Sequence, residues 1–172
     1  LGLRPFFPSN VRQQLYRSFF DGKEGLVISS SVVKEGKDER AELIYESSEH
    51  GIIARQDKIF FVPVGEYLPP LIRFSVSFAG KENLHGYGEY IDGTVLKGST
   101  LSTVTFNDVR IGALLCSEML SPRLYRDMNQ EQATDIMVNV ANNSWFHGSR
   151  LLHARLKQLA KTQALQNHQP ML

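Results

Sequence analysis

The segment Val109-Arg110-Ile111-Gly112-Ala113-Leu114-Leu115 sets the tightest limit on how this chain folds. It follows Thr100 to Phe106 across an Asn107-Asp108 pair, so the two stretches read as the arms of a hairpin. The second arm is almost wholly apolar, as in a buried strand. Ile136 to Ala141 reads the same way. Such strands need a core, and the 172 residues supply one: 42% are hydrophobic, 22% are charged and the net charge is +1. That is the composition of one ordinary globular domain, and a chain of this length buries about 70% of its unfolded surface.

The other elements follow from spacing and punctuation. Val11, Leu15 and Phe19 predict a helix over about 10–20, with Ser9 and Asn10 as caps and Asp21-Gly22 as its end. Gly25 to Val33 is a β-rich run; the polar stretch Lys34 to Arg40 reads as a hairpin loop, and Ala41 to Glu46 returns as the partner strand. Glu49-His50-Gly51 is a second turn, Ile52 to Ala54 continues the meander, and Ile59-Phe60-Phe61-Val62 reads as a fourth strand. Between Pro69 and Gly98 the pattern is irregular and rich in proline and glycine, which predicts a long surface loop carrying at most short pieces of regular structure. Ser121-Pro122 opens a helix to about Met128, and Leu152, Leu156 and Leu159 place an amphipathic helix over 149–167. Strands mixed with helices make the class α/β.

Several function classes are disfavoured. Nineteen basic against 18 acidic residues, scattered along the chain, argue against nucleic-acid binding. No apolar run reaches the roughly 18–20 residues that cross a bilayer. Cys116 is the sole cysteine, which excludes an intrachain disulfide and a multi-cysteine zinc site. The five histidines lack metal-ligand spacing, so no metal is expected. Gly86-Tyr87-Gly88 lacks the third glycine of a dinucleotide loop, and no Walker-type lysine is present, so no cofactor is expected.

Three stretches carry chemistry. Arg110 to Glu118 places the Cys116 thiol where a buried strand gives way to a turn, the geometry of a nucleophile elbow whose following backbone N–H groups bind an oxyanion. Two readings are open for Cys116, a reactive thiol or a small apolar core residue. In Asp57 to Pro69, Lys58 heads a predicted strand and Glu66 lies in the turn beyond it. An ammonium there can stabilise an oxyanion and a carboxylate can position it, unless both merely face solvent. Asn142-Asn143-Ser144-Trp145-Phe146 is an asparagine-rich turn that carries the sole tryptophan.

Together the three resemble the carbon–nitrogen hydrolase (nitrilase) superfamily, and within it the branch of bacterial apolipoprotein N-acyltransferases. The branch pattern is a lysine opening a Leu-Val-Pro-Phe-Gly-Glu-Tyr-type segment, an Ile-Cys-Tyr-Glu-type elbow and an Asn-Asp-x-Trp-Phe turn. The matching residues are Lys58 with Phe61-Val62-Pro63-Val64-Gly65-Glu66-Tyr67-Leu68-Pro69, then Leu115-Cys116-Ser117-Glu118, then Asn142 to Phe146. The resemblance implies a four-layer α-β-β-α sandwich in which two mixed sheets face each other, present here as a partial domain over 1–172, incomplete at both ends and with exposed sheet edges.

It also implies roles. Cys116 is the nucleophile, Lys58 the oxyanion-stabilising cation and Glu66 a second carboxylate lining the site. Glu118 and the Ser117 backbone N–H surround the nucleophile, and Tyr67 and Trp145 contact substrate. The family's general-base glutamate matches nothing here, and Leu1 to Pro8 looks like the loop that follows it, so the chain is expected to begin shortly after that residue. Ser117 replaces a tyrosine and Asn143 an aspartate of the pattern.

The activity so implied is transfer of an acyl chain from a phospholipid donor, through a cysteine thioester, to the N-terminal amine of a lipoprotein. The place implied is the periplasmic face of the bacterial inner membrane, reached through membrane segments that this sequence does not contain. A soluble, cytoplasmic amidase or nitrilase is the alternative, and a non-catalytic relative that has lost its base is a third.

Overall fold

The computed structural model describes residues 8–36, 38–63, 66–79, 95–142 and 149–172. The first sheet contains β1 (Leu26–Glu35), β2 (Asp38–Ser47) and β3 (Gly51–Asp57), antiparallel in the order β1-β2-β3. The second contains β4 (Thr103–Phe106), β5 (Val109–Leu115) and β6 (Ile136–Val140), in the order β4-β5-β6. It is mixed: β4 and β5 run antiparallel, β5 and β6 parallel. The helices are α1 (Ser9–Phe19), α2 (Pro70–Ala79), α3 (Pro122–Gln132) and α4 (Arg150–Asn167), and one 3-10 turn spans Cys116–Leu120.

The apolar run of β5 is explained by its two neighbours. Ala113 and Leu115 face the first sheet, in one core with Leu43, Tyr45 and Val104. Leu114, between them in sequence, points the other way into a core with Met119, Leu124, Tyr125, Met128 and Met137, closed by Leu156 and Leu159 of α4. Successive strand residues face opposite sides, so a strand between two cores must be apolar at every position. At Gly112 a Cβ would lie 2.8 Å from both the Met128 sulfur and the Thr134 methyl, so glycine lets α3 and the chain after it close on the strand. On the outer face of the first sheet, Arg12 of α1 donates to Glu46 at 2.9 Å, with both side chains buried. The layers therefore run helix, sheet, sheet, helix, as expected.

A small polar cluster pins the two sheets together through that core. The Tyr45 hydroxyl donates to the Ser102 carbonyl at 3.0 Å and accepts from the Ala113 N–H at 2.8 Å. Gln56 donates to the Ala113 carbonyl at 3.2 Å and accepts from the Ser102 N–H at 2.8 Å. Burial, above all, pushes the Tyr45 pKa up to about 12, so the hydroxyl keeps the proton it donates.

Several boundaries differ from expectation. The β1–β2 hairpin is tighter than a loop over 34–40, because pairing continues to Glu35 and Asp38 around Gly36 at φ 67°. In α1, Pro8 is the N-cap and Ser9 is already helical. The first sheet is antiparallel through its three strands, and its parallel contribution is a bridge from Val95 to Glu39. Ile59 to Val62 forms no strand, since the Glu118 carboxylate takes the N–H groups of Ile59 and Phe60 that a ladder would use. The stretch read as loop from Pro69 opens with α2; proline suits a helix start and Pro70 is its first residue. Residues 80–94, with Gly86 to Gly88, lie outside the described set. At the other end Pro170 to Leu172 bond alongside β6, with Met137 N–H to Pro170 O at 3.0 Å and Leu172 N–H to Met137 O at 2.9 Å.

Replacing Tyr45 by Phe keeps the ring but leaves the Ala113 N–H and the Ser102 carbonyl unpaired in a core. The expected cost is about 1–3 kcal/mol. It is read as a lower urea midpoint at an unchanged slope.

Candidate functional site

The end of β5 makes a sharp bend. Leu115 is extended, at φ −101° and ψ 111°, and Cys116 then takes φ 52°, a left-handed conformation that costs a non-glycine residue on the order of 1 kcal/mol or more. The chain continues as the 3-10 turn, leaving Cys116 half-buried at the strand tip. Glu118 holds this bend in place. Its carboxylate accepts from the Leu115 N–H at 2.7 Å, within the bend, and from Ile59 and Phe60 at 2.6 and 3.2 Å, across from it. The side chain is 0% exposed. Burial pushes its pKa up, and the three backbone N–H groups and the Lys58 charge only partly oppose that.

Lys58 is fixed from its backbone outward. It follows the last residue of β3, donates its N–H to Ala41 at 2.8 Å and accepts from the Gly98 N–H at 2.9 Å. The side chain is 3% exposed, and its ammonium is ion-paired with Glu66. Glu66 completes its bonding with its other oxygen, which accepts from the Val62 N–H at 2.9 Å and the Ser117 hydroxyl at 2.7 Å. The Glu66 N–H also donates back to the Val62 carbonyl at 2.9 Å, so the turn closes on itself. A continuous path of polar contacts thus runs from Lys58 through Glu66 to Ser117, the residue bonded to Cys116.

Burial acts to raise the Glu66 pKa, but the bonds from Lys58, Ser117 and Val62 and the Lys58 charge outweigh it and hold the carboxyl below its ordinary value. The structure therefore brings Lys58, Glu66 and Ser117 into direct contact and sets Glu118 behind the bend. Tyr67 is half-buried one residue beyond Glu66. Trp145 and the turn around it lie outside the described residues.

Two features escaped the sequence reading. The Ser117 hydroxyl, read there only through its backbone N–H, is a link between the cysteine turn and Glu66. Lys97 sets its ammonium 5.2 Å from the Tyr67 ring centre and 5.9 Å from that of Phe61, whose ring is also 5.3 Å from the Lys58 ammonium. No local pattern marks Lys97, because its partners are 30 or more residues away. Among the described residues no three His, Cys, Asp or Glu side chains gather as a metal cage requires.

Such an arrangement has a definite chemical capacity. A desolvated ammonium and a turn of backbone N–H groups can hold negative charge on an oxygen where a carbonyl is attacked. The lowered Glu66 pKa also has a consequence for stability. Its ionised form favours the folded state above the ordinary carboxylate range, and that contribution is lost as pH falls through the lowered value. Glu66→Gln lacks it at every pH. The stability gap between wild type and Glu66→Gln in urea is expected to be widest near neutrality and to close on acidification; a gap that does not change with pH would mean that the charge contributes nothing.

The carbon–nitrogen hydrolase family model matches residues 26–172. The chain is similar to an apolipoprotein N-acyltransferase of Geobacter metallireducens, 28% identical over 121 residues that cover 70% of this chain and 21% of that protein. In fold it is similar to a carbon–nitrogen hydrolase from Helicobacter pylori G27, with a TM-score of 0.61 and 12% identity over 94% of this chain and 49% of that one. It is likewise similar to an amidase from Nesterenkonia sp., with a TM-score of 0.53 and 12% identity over 95% and 51%. The chain thus spans about a fifth of the acyltransferase and about half of each solved protein. The family match takes in every element from β1 to the C-terminus, including the lysine, the two glutamates and the cysteine bend, and the chain belongs to the carbon–nitrogen hydrolase family.

Proposed function

We propose that this chain carries the acyl-transfer site of an N-acyltransferase that uses a phospholipid as donor and the N-terminal amine of a lipoprotein as acceptor. The observation that carries the reading is the contact of Lys58 with Glu66 and of Glu66 with Ser117, built by the Val62-Pro63-Val64-Gly65-Glu66-Tyr67 element that resembles the acyltransferase branch. The similarity to the Geobacter acyltransferase supports it. So does α2, which opens at the second of the two prolines after that element and exposes Leu71, Ile72 and Phe74, an apolar surface suited to a lipid donor.

In this mechanism the Cys116 sulfur attacks the donor's ester carbonyl. The C–S bond forms, the acyl C–O bond breaks, and the lyso-phospholipid leaves as an alcohol with a proton. The base that takes the thiol proton is, in the family pattern, a glutamate with no match in this sequence. Lys58 and the Ser117 N–H hold the oxyanion, and Glu66 pairs with the ammonium and aims it. The acceptor amine then attacks the thioester, an amide forms, and the thiol is restored. Glu118 keeps the bend in register. Tyr67 and Trp145 contact substrate. The proposed location is the periplasmic face of the inner membrane, with anchoring by segments outside this sequence; no helix of the described residues is long and apolar enough to cross a membrane.

The second reading is hydrolysis of an amide through the same thioester, with water in place of the amine, and it is favoured by the likeness to the Nesterenkonia amidase. Intact-mass analysis of the complete protein, base glutamate included, after incubation with phospholipid in detergent separates the two. The expected result is a hydroxylamine-sensitive acyl adduct on Cys116, absent in Cys116→Ala, that disappears when a peptide with a lipidated N-terminal cysteine is added. Phospholipid consumed without an adduct defeats the covalent route, and an adduct from amides alone favours hydrolysis. In Lys58→Gln acylation is expected to slow by about 10²- to 10³-fold, the usual effect of removing an oxyanion donor.

A further inference from the structure

Lys97 and its surroundings are used by none of the steps above, yet their construction is specific. The backbone at this point is held on both sides: the Leu96 N–H donates to Glu39 and the Gly98 N–H to Lys58, both at 2.9 Å. Gly98 sits so close to β3 that a Cβ there would lie 2.4 Å from the Asp57 carbonyl oxygen. The lysine is thus presented from a fixed backbone, with its exposed side chain lying against Tyr67 and Phe61. Cation–π contact orients an ammonium without saturating its N–H donors.

The charges around it are arranged unequally. Lys97 lines a polar cavity of about 580 Å³ together with Arg40, Glu42, Arg55 and Asp57. In that cavity Arg55 is paired with Glu42 at 3.0 Å and Arg40 with Asp57 at 3.5 Å. Outside that lining, Glu66 neutralises Lys58. Among the described residues no carboxylate lies within ion-pair distance of Lys97. It is the cation in this neighbourhood whose charge is left for something else, and it stands between a polar cavity and the ring it shares with Lys58.

We infer that Lys97 is the docking cation for the phosphodiester of the acyl donor, seating the headgroup at the polar cavity while the ester reaches past Phe61 toward Cys116. This rests on the phospholipid reading of the site. In a glycerophospholipid the phosphodiester and the acyl ester are held apart by the glycerol carbons, so a second cation on the Phe61 ring that Lys58 also touches addresses the first without competing for the second. Lysine serves as a point charge for phosphate and needs no fixed fork geometry.

The test is a binding measurement in Cys116→Ala, where turnover cannot interfere. Calorimetry compares dihexanoyl phosphatidylglycerol, below its micelle concentration, with dihexanoylglycerol, which has the same acyl esters and no phosphate. The expected result is about tenfold tighter binding of the phospholipid, the order of one charge-assisted contact. That preference should be lost when Lys97→Gln is added and kept when Lys97→Arg is added instead. Equal binding of the two lipids, or a preference that survives Lys97→Gln, overturns the inference. Glycerol 3-phosphate binding as tightly as the phospholipid also overturns it, since the site would then read a soluble phosphate. The outcome is separable from that of the function itself: a Lys97-dependent preference in a protein that forms no thioester from phospholipid would uphold the anion site and defeat the acyl-transfer reading.

Discussion

The carboxylate of Glu118 is the point on which the site is assembled. One buried side chain satisfies N–H groups from two segments that share no ladder, the end of β5 and the stretch after β3. Those donors are obligatory polar groups in a desolvated place, and each would cost about 1–3 kcal/mol if left unpaired. A carboxyl raised in pKa by its burial is kept there because it closes that account for both segments at once. The cysteine bend and the Lys58 backbone are thereby held at a fixed separation before any of the reactive groups is considered.

On that frame the electrostatics of Glu66 run in the opposite sense. Glu66 is only part-buried and its pKa is pulled down, by the same lysine that it steadies. Two glutamates near one ammonium are therefore set apart by environment, one by desolvation and one by pairing, which is how neighbouring carboxyls come to do different work. The Ser117 hydroxyl joins the second of them to the bend, so the turn after β3 and the turn after β5 are coupled by side chains as well as by the Glu118 bonds.

Much of this was legible in the sequence, and unevenly so. The β5 arm declared its two-sided burial through five consecutive residues with no charge, and its Asn107-Asp108 turn is in the left-handed conformation that such residues tolerate. The motifs around Lys58 and Glu66, around Cys116 and from Asn142 to Phe146 carried the family resemblance. What periodicity could not reveal was competition for backbone donors: Ile59 to Val62 has the composition of a strand, but a glutamate almost 60 residues away occupies its N–H groups. The helix at Pro70 was hidden because paired prolines read as loop, although the second of them suits a helix start. Tyr45, Gln56 and Lys97 left no local signal at all, since each acts on residues brought near by the topology alone.

The left-handed backbone at Cys116 also restricts what else could occupy the position. A side chain branched at Cβ clashes with its own backbone in that conformation far more than an unbranched one does. Threonine is thereby barred from this bend on steric grounds, whatever its chemical competence, and serine remains as the unbranched hydroxyl alternative to cysteine. The repertoire of nucleophiles available to this scaffold is thus narrowed by one dihedral angle before reactivity enters, and a change of chemistry at the strand tip would first require a change in the shape of the turn.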